Sequence, residues 1–191
     1  MSTPQDTPHD TGAEVAPGVS QELHDAVLAE AERIKGWGEA AERTARDEVN
    51  QPTINNWLEA MGLDNPRFTA GEAPPSMAQV WTMYGLGGTP AADDPLHSMM
   101  RWLTDAGFTA VLGTNSEQSY DRYLRVGEQV QVTTALESVV GPKATGMGVG
   151  YFVTSRNTWY VDHPDGAGGV RSERVASMLF RVLKFIPKAK S

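Results

Sequence analysis

The sequence predicts an α+β fold in which helices come first and an antiparallel sheet follows. Apolar residues recur at helical spacing as far as Gly107, and from Phe108 the period drops to two. Three long alternating runs then follow one another across short turns, which makes neighbouring strands antiparallel. A chain of 191 residues holds one core of ordinary size rather than two. One of its helices is then available to sit inside a strongly curved sheet.

Residues 1–19 are Ser, Thr, Pro, Gly and acid with little to bury, and are expected to form a flexible N-terminal tail. Ser20 caps a helix from Gln21 to Lys35 with Leu23, Val27 and Ile34 on one stripe. Gly36-Trp37-Gly38 breaks it before a second, solvated helix from Glu39 to Val49, so residues 20–50 read as an N-terminal helical segment. A new pattern starts at Gln51-Pro52-Thr53, places Ile54, Trp57, Leu58 and Met61 on one face, and stops at Gly62. Pro74-Pro75 suits the first turn of a helix carrying Met77, Val80, Trp81 and Tyr84. Asp94 and Pro95 open another, with Leu96, Met99, Met100, Leu103 and Ala106 at helical spacing.

A strand is expected from about Thr109 to Tyr123. In the next, Val130, Val132, Thr134 and Leu136 alternate with polar or small residues, and Gly141-Pro142-Lys143 is the expected turn after it. Met147, Val149, Tyr151, Val153 and Trp159 alternate along a third, the loop Asp162 to Gly169 follows, and Val175, Leu179, Leu183 and Phe185 mark a fourth. Residues 51–187 thus form the main domain, with 188–191 as a short C-terminal tail.

The balance of 16 basic against 24 acidic residues gives a net charge of −8, which repels nucleic-acid phosphates and anionic lipid headgroups. No run approaches the roughly twenty apolar residues of a membrane span, and the N-terminus does not look like a signal peptide, so a cytoplasmic protein is expected. With no Cys, disulfides, thiol nucleophiles and thiolate metal sites are excluded, and His9, His24, His97 and His163 are not at metal-ligand spacing. Neither a metal nor another cofactor is expected. His97 falls on the first turn of a helix and His163 in a hairpin loop with Pro and Gly, so both read as surface or capping residues rather than bases.

The stretch from Trp57 to Phe68, ending Leu63-Asp64-Asn65-Pro66-Arg67-Phe68, and then Ala73-Pro74-Pro75-Ser76-Met77, resembles the MaoC-like enoyl-CoA hydratases, and more closely their FAS1-type, N-terminal-half branch. Tyr123-Leu124-Arg125-Val126-Gly127-Glu128 is similar to that family's RPV-x-GD turn, and Gly148-Val149-Gly150-Tyr151-Phe152 to its following strand. The resemblance covers about residues 54–184. It implies the hot-dog fold, a curved antiparallel sheet wrapped around a central helix.

Catalytic members arrange an Asp and a His as D-x-N-P-x-H to activate the water that adds to a trans-2-enoyl thioester. That step needs a base and a proton donor on one water, and backbone N–H groups at a helix start to steady the enolate oxygen. Asn65-Pro66 matches the N-P pair, while Leu63 stands at the Asp position and Phe68 at the His position. Pro75-Ser76-Met77 replaces His-Gly-Met, and a proline offers no N–H. The resemblance therefore implies a half that keeps the fold without the chemistry. Asp64 is a slid acid or a turn residue bonding its own backbone.

Met77, Val80, Trp81, Met83, Tyr84, Leu86, Met99 and Trp102 form an apolar group whose plain reading is core. By resemblance their segment borders the acyl tunnel, and soft Met and aromatic side chains suit a ligand wider than a straight acyl chain. Arg122, Arg125, Lys143 and Arg156 are candidates for the phosphates of coenzyme A, or simply charges on solvated strands.

By resemblance a degenerate half pairs with a catalytic one, the two sheets lying edge to edge. Tyr84-Gly85-Leu86-Gly87-Gly88, Pro95-Leu96-His97 and Asn115 to Tyr120 look most like the larger subunits of actinobacterial steroid side-chain hydratases. Those subunits usually carry a further DUF35 domain with a zinc ribbon, expected to be missing here, where it would leave a thiolase-like aldolase without its docking domain. The implied role is the substrate-binding subunit of a heteromeric enoyl-CoA hydratase acting on the 2-enoyl-CoA thioester of a steroid side chain. Its expected partner is a small catalytic MaoC-like subunit in a heterodimer or heterotetramer. Three alternatives stay open: the substrate-binding subunit of a long-chain enoyl-acyl-carrier-protein dehydratase, a homodimeric hot-dog acyl-CoA thioesterase with Glu72 or Asp94 as base, and a non-catalytic docking protein.

Overall fold

The computed structural model describes residues 16 and 18–188. Most of the expected N-terminal tail, His9 and residues 189–191 lie outside that range. Val19, expected in the tail, is instead buried with the first helix, so the packed chain begins before the boundary at residue 19. Helix α1 is Gln21–Lys35, as its pattern predicts: Ser20 Oγ accepts from Leu23 N at 3.2 Å, and Val27, Ala31 and Ile34 make the buried stripe. Such a cap contributes about 1 kcal/mol.

The helix expected over Glu39 to Val49 does not form. The segment is extended and contains strand β1, Arg43–Thr44, paired with Val132 and Gln131. Ala40 N and Ala45 N donate to the carbonyls of Thr134 and Val130 at 2.8 and 2.7 Å. Ala45 and Val49 are both buried, and their four-residue spacing imitates a helical stripe. The reason is tertiary: the outer edge of a long strand carries unpaired backbone groups, and this segment satisfies them. The sheet therefore starts before residue 51.

Helix α2, Gln51–Met61, is capped by Asn50 Oδ1, which accepts from Thr53 N at 3.0 Å, and ends at Gly62 in the left-handed region. One-turn α3, Pro66–Thr69, follows Asn65. A 3₁₀ turn, Pro75–Met77, leads into α4, Ala78–Trp81. The helix expected to reach Tyr84 thus ends at Trp81; no side chain caps its start, and Gly85, Gly87 and Gly88 keep the next stretch a loop. Helix α5, Pro95–Asp105, starts where Asp94 Oδ1 accepts from His97 N at 2.7 Å.

Strands β2 (Ala110–Tyr120), β3 (Val130–Ala144), β4 (Gly148–Pro164) and β5 (Val170–Pro187) complete a fully antiparallel sheet of order β1-β3-β4-β5-β2. Gly141-Pro142-Lys143 is not the turn between β3 and β4. It is an irregularity inside β3, and the chain reverses at residues 145–147, where Thr145 Oγ1 accepts from Met147 N and Gly148 N, each at 3.2 Å. The expected loop from Asp162 is also shorter. His163 lies on β4 opposite Arg171, and only residues 165–169 form the tip, held by Asp165 Oδ1 accepting from Ala167 N and Gly169 N.

The register puts Val132, Thr134 and Leu136 of β3, Tyr151, Val153 and Trp159 of β4, and Met178, Phe180 and Val182 of β5 on one face. Two buried clusters lie along that face. One joins α2, α3 and α4 to the Trp159 end of the sheet, and the other joins α1 and α5 to the Tyr151 end. Phe180 packs against both. Where the two clusters fail to meet, the sheet floor is open.

Candidate functional site

That opening is a cavity of about 490 Å³. Its floor is Val132 and Thr134 of β3, Ser155, Asn157 and Trp159 of β4, and Met178 and Phe180 of β5. Its roof comes from the loop after α4, with Thr82, Met83, Tyr84 and Pro90, and from Asp94, Leu96, His97 and Met100 at the start of α5. Gln79 and Arg43 close the side. This volume lies within the roughly 300–1,000 Å³ of small-molecule sites, with mostly apolar walls and a few polar groups.

Fixed hydrogen bonds hold the roof to the floor. Trp159 Nε1 donates to Thr82 Oγ1 at 2.9 Å, and the Arg43 guanidinium donates to the Thr82 carbonyl while its carbon lies 4.1 Å from the Tyr84 ring centre. On the floor Thr134 Oγ1 donates to Asn157 Oδ1 at 3.0 Å. Ser155 has no solvent exposure, and its Oγ makes no hydrogen bond among the described residues. The Asp94 carboxylate borders the cavity, with one oxygen committed to capping α5.

Of the eight apolar residues proposed from the sequence to border a ligand, Met83 and Tyr84 line this cavity and the other six do not. Met77, Trp81 and Met99 belong to the two clusters, Val80 packs against the first and Trp102 against the second, and Leu86 is fully exposed. Sequence reasoning missed Thr134, Ser155, Asn157, Met178 and Phe180. A signal was present: the alternation Met147, Val149, Tyr151, Val153, Trp159 on β4 skips two positions, and those positions are Ser155 and Asn157.

The positions matched to the family's acid and base lie elsewhere. Leu63 follows α2 and is 45% exposed, while Phe68 is 9% exposed within the α2–α4 cluster, its ring centre 6.3 Å from that of Tyr123. Neither side chain can transfer a proton. Asp64 is exposed. Glu72 pairs with Arg67 Nε at 2.6 Å, and that hydrogen bond holds its carboxyl below the usual range. Pro75 begins the 3₁₀ turn, and the N–H of Met77 is spent on the Pro74 carbonyl at 2.9 Å.

The four basic candidates are not brought together. Arg122 bonds Glu128 and Glu173 at 2.9 Å each, and Arg156 bonds Glu137 at 3.0 Å. Arg125 and Lys143 make no ion pair among the described residues; Arg125 borders a shallow hollow with Arg67 and Glu72, and Lys143 lies at the far end of β3. His163, on its strand, bonds Glu173 at 2.7 Å. Among the described residues no group of three or more His, Cys, Asp or Glu side chains could hold a metal, and no helix is long and apolar enough to cross a membrane.

Residues 35–164 match the family model of the FAS1-like dehydratase domain region. Over 166 residues the chain is 46% identical to the alpha subunit of the 3-oxo-4,17-pregnadiene-20-carboxyl-CoA hydratase of Mycobacterium tuberculosis, covering 81% of this chain and 50% of that protein. A probable enoyl-CoA hydratase alpha subunit of Thermomonospora curvata is 35% identical over 161 residues, 76% of this chain and 48% of its own. The chain thus spans about half the length of these curated relatives. A chain of the crystal structure of the ChsH1-ChsH2 complex from M. tuberculosis superposes with a TM-score of 0.75 at 43% identity, covering 87% of this chain and 95% of that one. The sheet packed on its helices is the α+β hot-dog fold that the motifs implied. By its matched region, its fold and these relatives, the chain belongs to the FAS1-like dehydratase-region family, the branch of the MaoC-like hot-dog proteins that its motifs resembled.

Proposed function

We propose that this chain is the substrate-binding, catalytically degenerate subunit of a heteromeric enoyl-CoA hydratase that adds water to the 2-enoyl thioester of a steroid side chain. The observation that carries it is a roomy, largely apolar cavity in a chain whose family acid and base positions are Leu63 and Phe68. The similarity to two hydratase alpha subunits supports the reaction class, and the pregnadiene substrate in the name of one supports the steroid. In this account the wide cavity encloses the ring end and keeps water from it. A small MaoC-like partner supplies the Asp and His that deliver water oxygen to C3 and a proton to C2 of the enoyl group.

Strand β2 is the edge on which that partner docks. It is eleven residues long, exposed on both faces from residue 111 to 119, and unpaired on its outer side among the described residues, whereas the opposite edge is covered by β1. Arg125 and Lys143 remain our candidates for coenzyme A phosphates, since Arg122 and Arg156 are neutralised by carboxylates. A thioester of coenzyme A is an intracellular metabolite, which favours the cytoplasm. A thiolase-like aldolase that takes up the hydrated product is a further partner in this scheme.

The test follows enoyl-thioester absorbance with a steroid enoyl-CoA, first with this chain alone and then with a small MaoC-like subunit carrying the Asp and His. Silence alone and turnover in the mixture are expected, together with slowed amide exchange along Ala110–Tyr120 in the complex. Turnover by the chain alone would sink the assignment.

A further inference from the structure

We infer that Ser155 and Asn157 form a two-donor cradle, at the floor of the cavity, for a ketone oxygen on the buried polycyclic end of the ligand. This rests on the cavity enclosing that end, as proposed above, and adds what the floor discriminates.

The side chains that β4 turns toward the helices run Tyr151, Val153, Ser155, Asn157, Trp159. The other four are apolar side chains in packed clusters or polar ones with a hydrogen-bond partner, whereas Ser155 has its hydroxyl buried without one. It is wholly buried, its Oγ bonds nothing, and its cross-strand neighbours on that face are Leu136 and Phe180, which offer no acceptor. Native interiors rarely leave a hydroxyl so, because its lost hydration is uncompensated; alanine would fill nearly the same space without that cost. A hydroxyl kept there at the edge of a cavity points to a partner that arrives from outside.

Asn157 stands two residues along the same face, roughly 6.7 Å away by strand geometry. Thr134 donates to its Oδ1, which fixes the amide and leaves Nδ2 donating to nothing among the described residues. Two donors therefore border the cavity floor without an acceptor. A ketone oxygen accepts from both and has no proton to place. An anion would call for a cation at the floor, and the one nearby guanidinium, Arg43, is engaged by the Thr82 carbonyl and the Tyr84 ring. The rest of the floor, with Trp159, Met178 and Phe180, offers the flat apolar surface a fused-ring skeleton needs.

The experiment titrates the full chain with androst-4-en-3-one and with androst-4-ene, the same skeleton without its ketone, following tryptophan emission. Wild type, Ser155→Ala and Asn157→Leu are compared. Wild type should bind the ketone about tenfold or more tighter than the hydrocarbon, and each variant should lose about tenfold for the ketone while holding the hydrocarbon as well or better. Unliganded Ser155→Ala should melt at or above the wild-type temperature. Equal wild-type affinity for the two steroids, or a Ser155→Ala chain that keeps the full preference, overturns the cradle and leaves the cavity's role standing. Failure of wild type to bind either steroid overturns both. A lower melting temperature for unliganded Ser155→Ala shows that the hydroxyl is already paired in the free chain, and also overturns the inference.

Discussion

Glu173 accepts from Arg122 Nη2 at 2.9 Å and faces His163 Nε2 at 2.7 Å, and the Arg122 hydrogen bond above all holds its carboxyl down at about 2. A carboxylate whose folded pKa lies below the ordinary 4.5 adds stability at neutral pH. That contribution is lost as pH falls from about 4.5 towards 2, where the unfolded chain takes up its proton first. Glu173→Gln should therefore melt below wild type at pH 7, with the gap closing across that window; thermal melts of both proteins at stepped pH check it. A gap independent of pH would show that the carboxylate charge is not what matters. Leu63 and Phe68 permit a second prediction. The double variant Leu63→Asp, Phe68→His should remain without hydratase activity on its own, because Pro75 still offers no N–H and the Met77 N–H is already spent. Phe68→His also puts an imidazole into the α2–α4 cluster, so a lower melting temperature should accompany the silence. Hydration of an enoyl-CoA by that variant alone is the contrary result.

At the scale of elements, β4 and β5 approach so closely at Gly150 that a Cβ there would lie 2.1 Å from the Lys184 carbonyl oxygen and 2.6 Å from Phe185 Cα. Backbone cannot yield as a side-chain tip does, so Gly150→Ala should cost about 3 kcal/mol or more. Gly146→Ala, at the turn with open space around it, should stay within about 0.5 kcal/mol of wild type. Urea unfolding of the pair measures both, and equal midpoints would mean that the strands can separate. What was legible in these elements followed from local chemistry. Ser20, Asn50 and Asp94 cap helices that the apolar spacing outlines, and the switch to period two marks four strands. The extended run from Glu39 to Val49 was not legible, since its composition favours helix and only the open edge of β3 decides otherwise. Nor was the length of the β3–β4 hairpin, because Gly141-Pro142 looks like a turn when its bulge within a continuing strand is invisible. The cavity was half legible: Met83 and Tyr84 were found through their segment, whereas its floor came from three strands whose register no single run reveals. Met77 and Met99 were drawn to it only because core and binding side chains share the same chemistry.

The whole molecule is a sheet with two buried clusters strung along one face and touching through Phe180. A single continuous core would couple its two ends tightly, but here about 490 Å³ of their junction is open space. An unliganded chain of this kind should open in two units, one holding α2, α3 and α4 and the other α1 and α5, and hydrogen exchange should show two levels of protection. A bound fused-ring ligand fills the junction and becomes the missing middle of the core. Its affinity is then inseparable from cooperativity: occupancy at a hundred times Kd adds about 2.7 kcal/mol, and the two exchange levels should merge into one. Loading with ligand, on this account, completes the folding of the subunit, and in an empty subunit the two clusters share only the strands beneath them and the Phe180 ring.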